Sequence, residues 1–202
     1  MEHFYNNMEI FEDNWFTYPG LYQLFSDTLQ NGNHFVEVGA WKGQSISYLA
    51  VELINQNKTE VQVDVIDNWL GTPVEHDDDI WVKNNKLYEK FLQNTSTVSH
   101  VINPIRKNSL EASQDYEDNS LDIVFIDAAH DYENVYNDLK AWFPKVKSTG
   151  IISGHDWKIV PDVTRAVVKF FGIMNIMSVS GQCWLVYKEK YKPYDNSNEQ
   201  VL

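Results

Sequence analysis

Two short segments of this chain set an imidazole beside a carboxylate: Ile126-Asp127-Ala128-Ala129-His130-Asp131 and Gly154-His155-Asp156-Trp157. Asp127, His130, His155 and Asp156 are the residue types that take a proton from a hydroxyl, orient such a base, or hold a divalent cation. Singly, each has an ordinary structural use. Asp127 could cap the helix that follows it, and His155 could be a satisfied turn histidine. Paired His-Asp elements at the ends of two neighbouring strands point instead to one shared site. A third segment, Glu37-Val38-Gly39-Ala40-Trp41-Lys42-Gly43-Gln44-Ser45, has the glycines of a strand-to-helix turn. Gly39 suits the tight turn, Gly43 lets the next helix approach, and the helix N–H groups favour a carboxylate or phosphate. Asp67 lies somewhat more than about 20 residues beyond that loop, where an acid can accept both hydroxyls of a ribose. Trp69 either flanks a flat base or plugs the core. Together these residues suit a nucleoside cofactor; the bulk of Trp41 narrows the room that a pyrophosphate would need.

These residues need a scaffold that brings strand ends together. Short apolar strands are expected at 34–38, 61–66, within 98–105, at 121–126 and from 150. They alternate with helices at 45–56, 110–115, 132–143 and 163–171. Asp67 follows the second strand, Asp127 the fourth, and Gly154-His155-Asp156-Trp157 the fifth. Segments 176–179 and 183–187 flank Ser180-Gly181-Gln182 and read as a terminal hairpin. The order predicts an α/β, Rossmann-like, doubly wound, mostly parallel seven-stranded sheet with a C-terminal antiparallel hairpin. Before it, residues 1–33 form an aromatic segment with a helix over 21–30, whose Leu21, Leu24, Phe25 and Leu29 share a face. The α/β domain covers 34–188, and a polar tail, expected to fray, covers 189–202. Residues 68–96, with Gly71-Thr72-Pro73 and Asp77-Asp78-Asp79, are either a lid or substrate insertion or a solvated connector with one helix.

Composition narrows the function classes. Of 202 residues, 43% are hydrophobic and 22% charged, as in a globular domain. The net charge of −13 lacks the basic face of a nucleic-acid binder. The single Cys183 forbids an internal disulfide. No window suits a membrane span or a signal peptide, so a cytoplasmic location is expected. The N-terminal aromatics could form a homo-oligomer contact.

In combination, the motifs resemble the class I S-adenosylmethionine-dependent methyltransferases. The similarity is to the branch with Glu-x-Gly-x-aromatic-x-Gly-x-Ser, which includes catechol-type O-methyltransferases and relatives acting on sugars and antibiotics. It runs from Glu37–Ser45 through Asp67-Asn68-Trp69-Leu70-Gly71 and 126–133 to 154–157. The resemblance implies S-adenosylmethionine as cofactor and O-methylation of a small-molecule or sugar hydroxyl. It places Glu37 and Gly39, with Ala40, Trp41, Gly43 and Ser45, along the methionine part. Asp67, Asn68 and Trp69 then meet the ribose and its surroundings, Asn108 and Ser109 the adenine, and Asp127 the transferable methyl. His130 or His155 would be the base. In catechol-type relatives the positions of Asp127 and Asp156 bind magnesium with a following Asn; here that residue is Trp157, so His155 or His130 would complete any metal set. The competing readings are a metal-dependent hydroxylase or NAD enzyme on the same scaffold, and a non-catalytic ligand-binding protein.

Overall fold

The computed structural model describes residues 1–13, 15–72, 76–179 and 181–193, with the Met8 side chain left out. Seven strands form one sheet: β1 (His34–Val38), β2 (Gln62–Asp67), β3 (Asn103–Arg106), β4 (Leu121–Ile126), β5 (Val146–Gly154), β6 (Met177–Val179) and β7 (Cys183–Tyr187). Their order is β3-β2-β1-β4-β5-β7-β6, with β7 antiparallel to both neighbours and the other pairs parallel. The chain leaves β1 toward β2 and returns on the other side as β4. The carboxyl ends of β1 and β4 therefore diverge into a crevice, the usual ligand position in such sheets.

Helices cover both faces. On one side lie α2 (Pro19–Thr28), α3 (Gln44–Asn55) and α5 (Leu87–Thr95), packed over Phe35, Val63, Val65 and Phe125. On the other lie α6 (Ser109–Ala112), α7 (Tyr132–Trp142) and α8 (Pro161–Phe171), packed over Val36, Val124 and Ile152. Adjacent strand residues thus enter opposite cores, which explains the continuous apolar runs. Two single-turn helices, α1 (Met8–Phe11) and α4 (Ile80–Lys83), lie in the N-terminal segment and the 68–96 segment.

Several sequence boundaries shift. Pro19 starts α2 two residues early, because a proline needs no partner for a first-turn N–H. Leu24, expected on its buried face, is exposed, whereas Leu21, Phe25 and Leu29 are buried. The third strand is shorter than its apolar run: Ser96–Val98 continues the preceding helix as a 3-10 turn, and only 103–106 pairs. The fifth strand begins four residues early, at Val146. The segment 68–96 holds two helices rather than one. Residues 188–190, where the domain passes into the tail, form a 3-10 turn. Pro73, Ser180 and residues 194–202, including most of the tail, lie outside the described residues.

Gly39 is where the sheet demands the absence of a side chain. Its φ is +89°, and a Cβ there would lie 1.9 Å from the main-chain oxygen of Asp127. Gly39→Ala forces β1 and β4 apart at the crevice. We expect it to cost more than about 3 kcal/mol of unfolding free energy in a urea titration.

Candidate active site

The glycine loop has an alternating backbone: Gly39, Trp41 and Gly43 all have positive φ. Trp41 at +48° is costly for a side chain this large, and Asp67 supplies the compensation. Its Oδ2 accepts the Ala40 N–H at 2.9 Å and the Trp41 N–H at 3.1 Å, while Oδ1 accepts the Trp69 N–H at 2.7 Å. Burial raises its pKa, with the three N–H bonds opposing. A carboxylate has about four lone-pair positions. With three engaged, Asp67 has room for one further donor, so it cannot accept both ribose hydroxyls without releasing a backbone bond.

Three other residues placed at the cofactor by sequence are committed to the interior. Glu37 is fully buried; its oxygens accept the Tyr22 hydroxyl at 2.6 Å and the Ser45 hydroxyl at 2.7 Å. Burial carries its pKa up to about 8 against those two bonds, and Asp127 and Asp67 add to the rise. Glu37 stiffens the loop from below, and Ser45, with Gly43 and Gln44, lines a small cavity of about 120 Å³ on one side of the loop. Trp69 plugs the core instead of flanking a base: it is 1% exposed, packs on Tyr88 and Phe91, and donates Nε1–H to the Trp41 carbonyl.

A cleft of about 470 Å³ runs along the ends of β1, β2 and β4. That volume is within the range of small-molecule sites. Gly39, Ala40, Trp41, Asn68 and Asp127 line it, and Asn108 and Ser109 close its far end. Asn108 caps α6 by accepting the Leu110 N–H at 3.0 Å. Carboxylates are the main charged groups of the wall: Asp67, Asp127, Asp131 and Asp138. Lys107, on the rim, is paired with Asp115 at 2.7 Å. Such a lining attracts a cation and repels a pyrophosphate.

Beyond Asp127, which lines both, the two His-Asp elements meet in a neighbouring cavity of about 420 Å³. One ligand atom from each of Asp127, His130 and Asp156 lies within 4.8 Å of the others. His130 Nε2 is 2.9 Å from Asp156 Oδ2, and His155 Nδ1 is 3.3 Å from Asp156 and 3.7 Å from Asp127. Asp131, not Asp127, caps α7, accepting the Asn134 N–H at 3.0 Å. Asp127 instead accepts the hydroxyl of buried Tyr18 at 2.9 Å. Asp156 sits at φ +60°, a strained backbone held in the turn after β5. Burial would raise its carboxyl, but His130 and His155 outweigh that and hold it far below the ordinary range. Burial would lower the His155 ring, but Asp127 and Asp156 carry it from 6.5 up to about 10. Its Nε2 is buried without a hydrogen-bond partner among the described residues, as is Nε1 of Trp157.

His155 therefore stays an imidazolium at neutral pH. Because its folded pKa exceeds the ordinary value, its contribution to stability is complete below about 6.5 and is lost as pH rises toward 10. Urea titrations should show unfolding free energy falling between about pH 6.5 and 9, and His155→Gln should flatten that slope. An unchanged slope in the variant would contradict the assignment.

Several site residues carry no signal in the sequence. Tyr18 and Trp15 come from an N-terminal segment without periodicity. Trp15 stacks on Trp41 at 5.2 Å, and the His76 ring packs on the same indole, tilted, at 4.2 Å. Lys42, inside the glycine motif, is 3% exposed and meets three carboxylates: Asp13 at 2.9 Å, Asp79 at 2.9 Å and Glu12 at 3.3 Å. It ties the N-terminal segment and the start of α4 to the loop.

A family model described as a methyltransferase domain matches residues 36–157. Over 94 residues the chain is 26% identical to the uncharacterized protein y4gI of Sinorhizobium fredii; this covers 46% of the chain but only 10% of that longer protein. Among solved structures, the O-methyltransferase NovP superposes with a TM-score of 0.64 at 16% identity, covering 84% of this chain and 77% of its own. The calicheamicin methyltransferase CalS11 gives 0.60 at 14% identity, with 90% and 83% covered. An O-methyltransferase from Bacillus cereus, in complex with SAH, gives 0.56 at 15% identity, with 84% and 80% covered. At these identities the likeness is one of fold, including the mostly parallel sheet with antiparallel C-terminal strands. Among the described residues, no helix is long and apolar enough to cross a membrane.

Proposed function

The chain belongs to the methyltransferase-domain family whose model spans residues 36–157, and from that premise we propose that it methylates a hydroxyl of a small molecule or sugar. The observation that carries this reading is that one residue, Asp127, belongs both to the cofactor-sized cleft and to the acid–imidazole cluster.

The lining fits S-adenosylmethionine. Its acceptors suit a ligand carrying a sulfonium and an ammonium, and the wall is poor in the cations a phosphate would need. When bound, S-adenosylmethionine supplies a methyl group already activated on sulfur. The chain's own residues position the acceptor and handle its proton. Gly39 to Gly43 and the start of α3 would hold the amino-acid end, Asp67 would take one ribose hydroxyl, and Asp127 would lie toward the reacting end. His130 is the base, since an imidazolium at 155 cannot accept a proton. Asp156 orients the His130 ring and stabilises the imidazolium that forms there, as a carboxylate does behind other catalytic histidines. Asp127 is held by Tyr18 and by the positive charge of His155.

The same cluster favours a second use. Asp127, His130 and Asp156 are close enough to hold a divalent cation, which would lower the pKa of an acceptor hydroxyl. Two carboxylates and an imidazole suit manganese, iron or zinc better than magnesium, which prefers oxygen ligands.

Calorimetry on the intact protein tests the cofactor half: S-adenosylmethionine and its demethylated product should both bind, and binding of neither would sink the proposal. Transfer of a labelled methyl to a hydroxyl acceptor, with and without chelator, tests the rest.

A further inference from the structure

The cavity that holds the two His-Asp elements has further walls that methyl transfer itself does not use. Asp127, His130 and Asp156 fall within residues 36–157, the matched methyltransferase domain, and supply the chemistry. Trp15, Thr17 and Gln182 also line the cavity and lie outside that stretch. Trp15 and Thr17 come from the N-terminal segment, Gln182 from the turn before β7. The two pieces are fitted together. Thr17 Oγ1 is 3.5 Å from the Gly181 carbonyl oxygen, and a Cβ at Gly181 would lie 2.6 Å from Tyr18 Cα. The Trp15 indole is held as well, stacked on Trp41 at 5.2 Å with His76 at 5.5 Å, yet it is 53% exposed. An exposed apolar side chain is ordinary on a surface. This one is fixed by two other rings at the wall of a polar cavity.

The lining defines the ligand. A flat indole takes the flat apolar face of another molecule. The two carboxylates can only accept hydrogen bonds, so they call for several donors on the ligand's rim. Among the described residues, no lysine or arginine lines the cavity. The imidazolium of His155 is already engaged by Asp127 and Asp156. A phosphate or carboxylate on the ligand would face those two like charges without a counter-ion, in a chain of net charge −13. A simple phenol has the flat face but too few donors, and an open-chain polyol has the donors but no flat face. A pyranose has both, with C–H groups on its face and hydroxyls around its rim. We propose that Trp15 determines acceptor specificity, its indole receiving the C–H face of an uncharged pyranose whose hydroxyls donate to Asp127, Asp156 and Gln182. The inference rests on reading the chain as a methyltransferase acting on hydroxyls.

Labelled methyl transfer from saturating S-adenosylmethionine tests this. The acceptors are the methyl pyranosides of glucose, galactose, mannose and rhamnose, the 6-phosphates of the first three sugars, and catechol. At least one glycoside should be methylated, with kcat/KM at least about 10-fold above that of every phosphate and of catechol. For that glycoside, Trp15→Ala should raise KM at least about 10-fold and Gln182→Ala at least about threefold, with kcat within about threefold of wild type. Trp15→Phe, which keeps a flat face, should recover most of the loss. By calorimetry each variant should bind S-adenosylhomocysteine within about threefold of wild type. No transfer to any glycoside, or a preference for a phosphate or for catechol, overturns the ligand class. An unchanged KM in Trp15→Ala overturns the role of Trp15, and so does a parallel loss of S-adenosylhomocysteine affinity, which would make the indole a support for the Trp41 loop only. If Trp15→Ala does not fold, the acceptor ranking and Gln182→Ala decide. Failure of the wild-type protein to bind S-adenosylhomocysteine would instead remove the methyltransferase reading; binding it with the wrong acceptor preference leaves that reading standing.

Discussion

His130→Gln should lower methyl transfer by about 10²- to 10⁴-fold, the range for losing a general base, while leaving S-adenosylhomocysteine binding within about threefold of wild type. The reason for this split is positional. His130 is the more exposed of the two rings, at 29% against 12% for His155, and lines the cavity next to the cleft, beside Asp127 and with Asp156 behind it. Its loss removes the proton acceptor without disturbing the loop that Asp67 and Glu37 organise. The neighbouring His155 cannot substitute, since Asp127 and Asp156 keep it protonated up to about pH 10. Initial rates with a labelled methyl donor and whichever hydroxyl acceptor supports wild-type turnover give kcat; calorimetry gives binding. A variant within about threefold of wild-type kcat would show that the base is elsewhere, or that the acceptor ionises without one.

The second large effect is structural and concerns the clasp over the loop. Lys42→Met removes a buried ammonium facing Glu12, Asp13 and Asp79 and leaves their negative charges to repel one another. Breaking a fully buried ion pair costs about 3–5 kcal/mol. The acids here are partly exposed and Glu12 retains Lys90 at 2.8 Å, so a loss of about 2–3 kcal/mol is expected. For a chain of this size that lowers Tm by about 5–10 °C in a thermal melt. The pH dependence gives an independent check. Burial would raise the Glu12 pKa, but Lys90, Trp81 and Lys42 bring it from 4.5 to about 2, and the Asp79 carboxyl is likewise held low, chiefly by Lys42 against burial. Folded values below ordinary ones mean stability that is complete above about pH 4.5 and lost as pH falls toward 2. The variant should be less stable than wild type at pH 7, and the gap should close below about pH 3. A constant gap across that range would assign the loss to packing of the lysine stem. Proteolysis should also become faster within residues 1–20 of the variant, because the clasp is what anchors Glu12 and Asp13.

Much of the fold was legible in the chain because its signals are local. Glycines at 39 and 43, a carboxylate closing the second strand, and apolar runs separated by helical patterns fall within short windows. Each has one economical physical solution. The meeting of Asp127 with Asp156 was legible for the same reason: the βα order makes β4 and β5 neighbours, and neighbours bring their carboxyl ends together.

What the sequence could not decide was how each polar side chain spends its hydrogen bonds. Glu37 and Asp67 occupy the positions a cofactor-binding acid would take, yet most of their capacity goes to Tyr22, Ser45 and three backbone N–H groups. Trp69 could face a base or the core, and only the packing of Tyr88 and Phe91 selects the core. Two histidines were equivalent as sequence and became opposites in the fold, because His155 meets two carboxylates in a desolvated turn. Lys42 and Tyr18 gained their roles from partners at least 29 residues away in the chain. The types of chemistry this protein can perform were thus set by local sequence, through which residues end which strands. Which residue performs each step was set by tertiary structure, because burial and long-range pairing decide protonation and decide which lone pairs remain open.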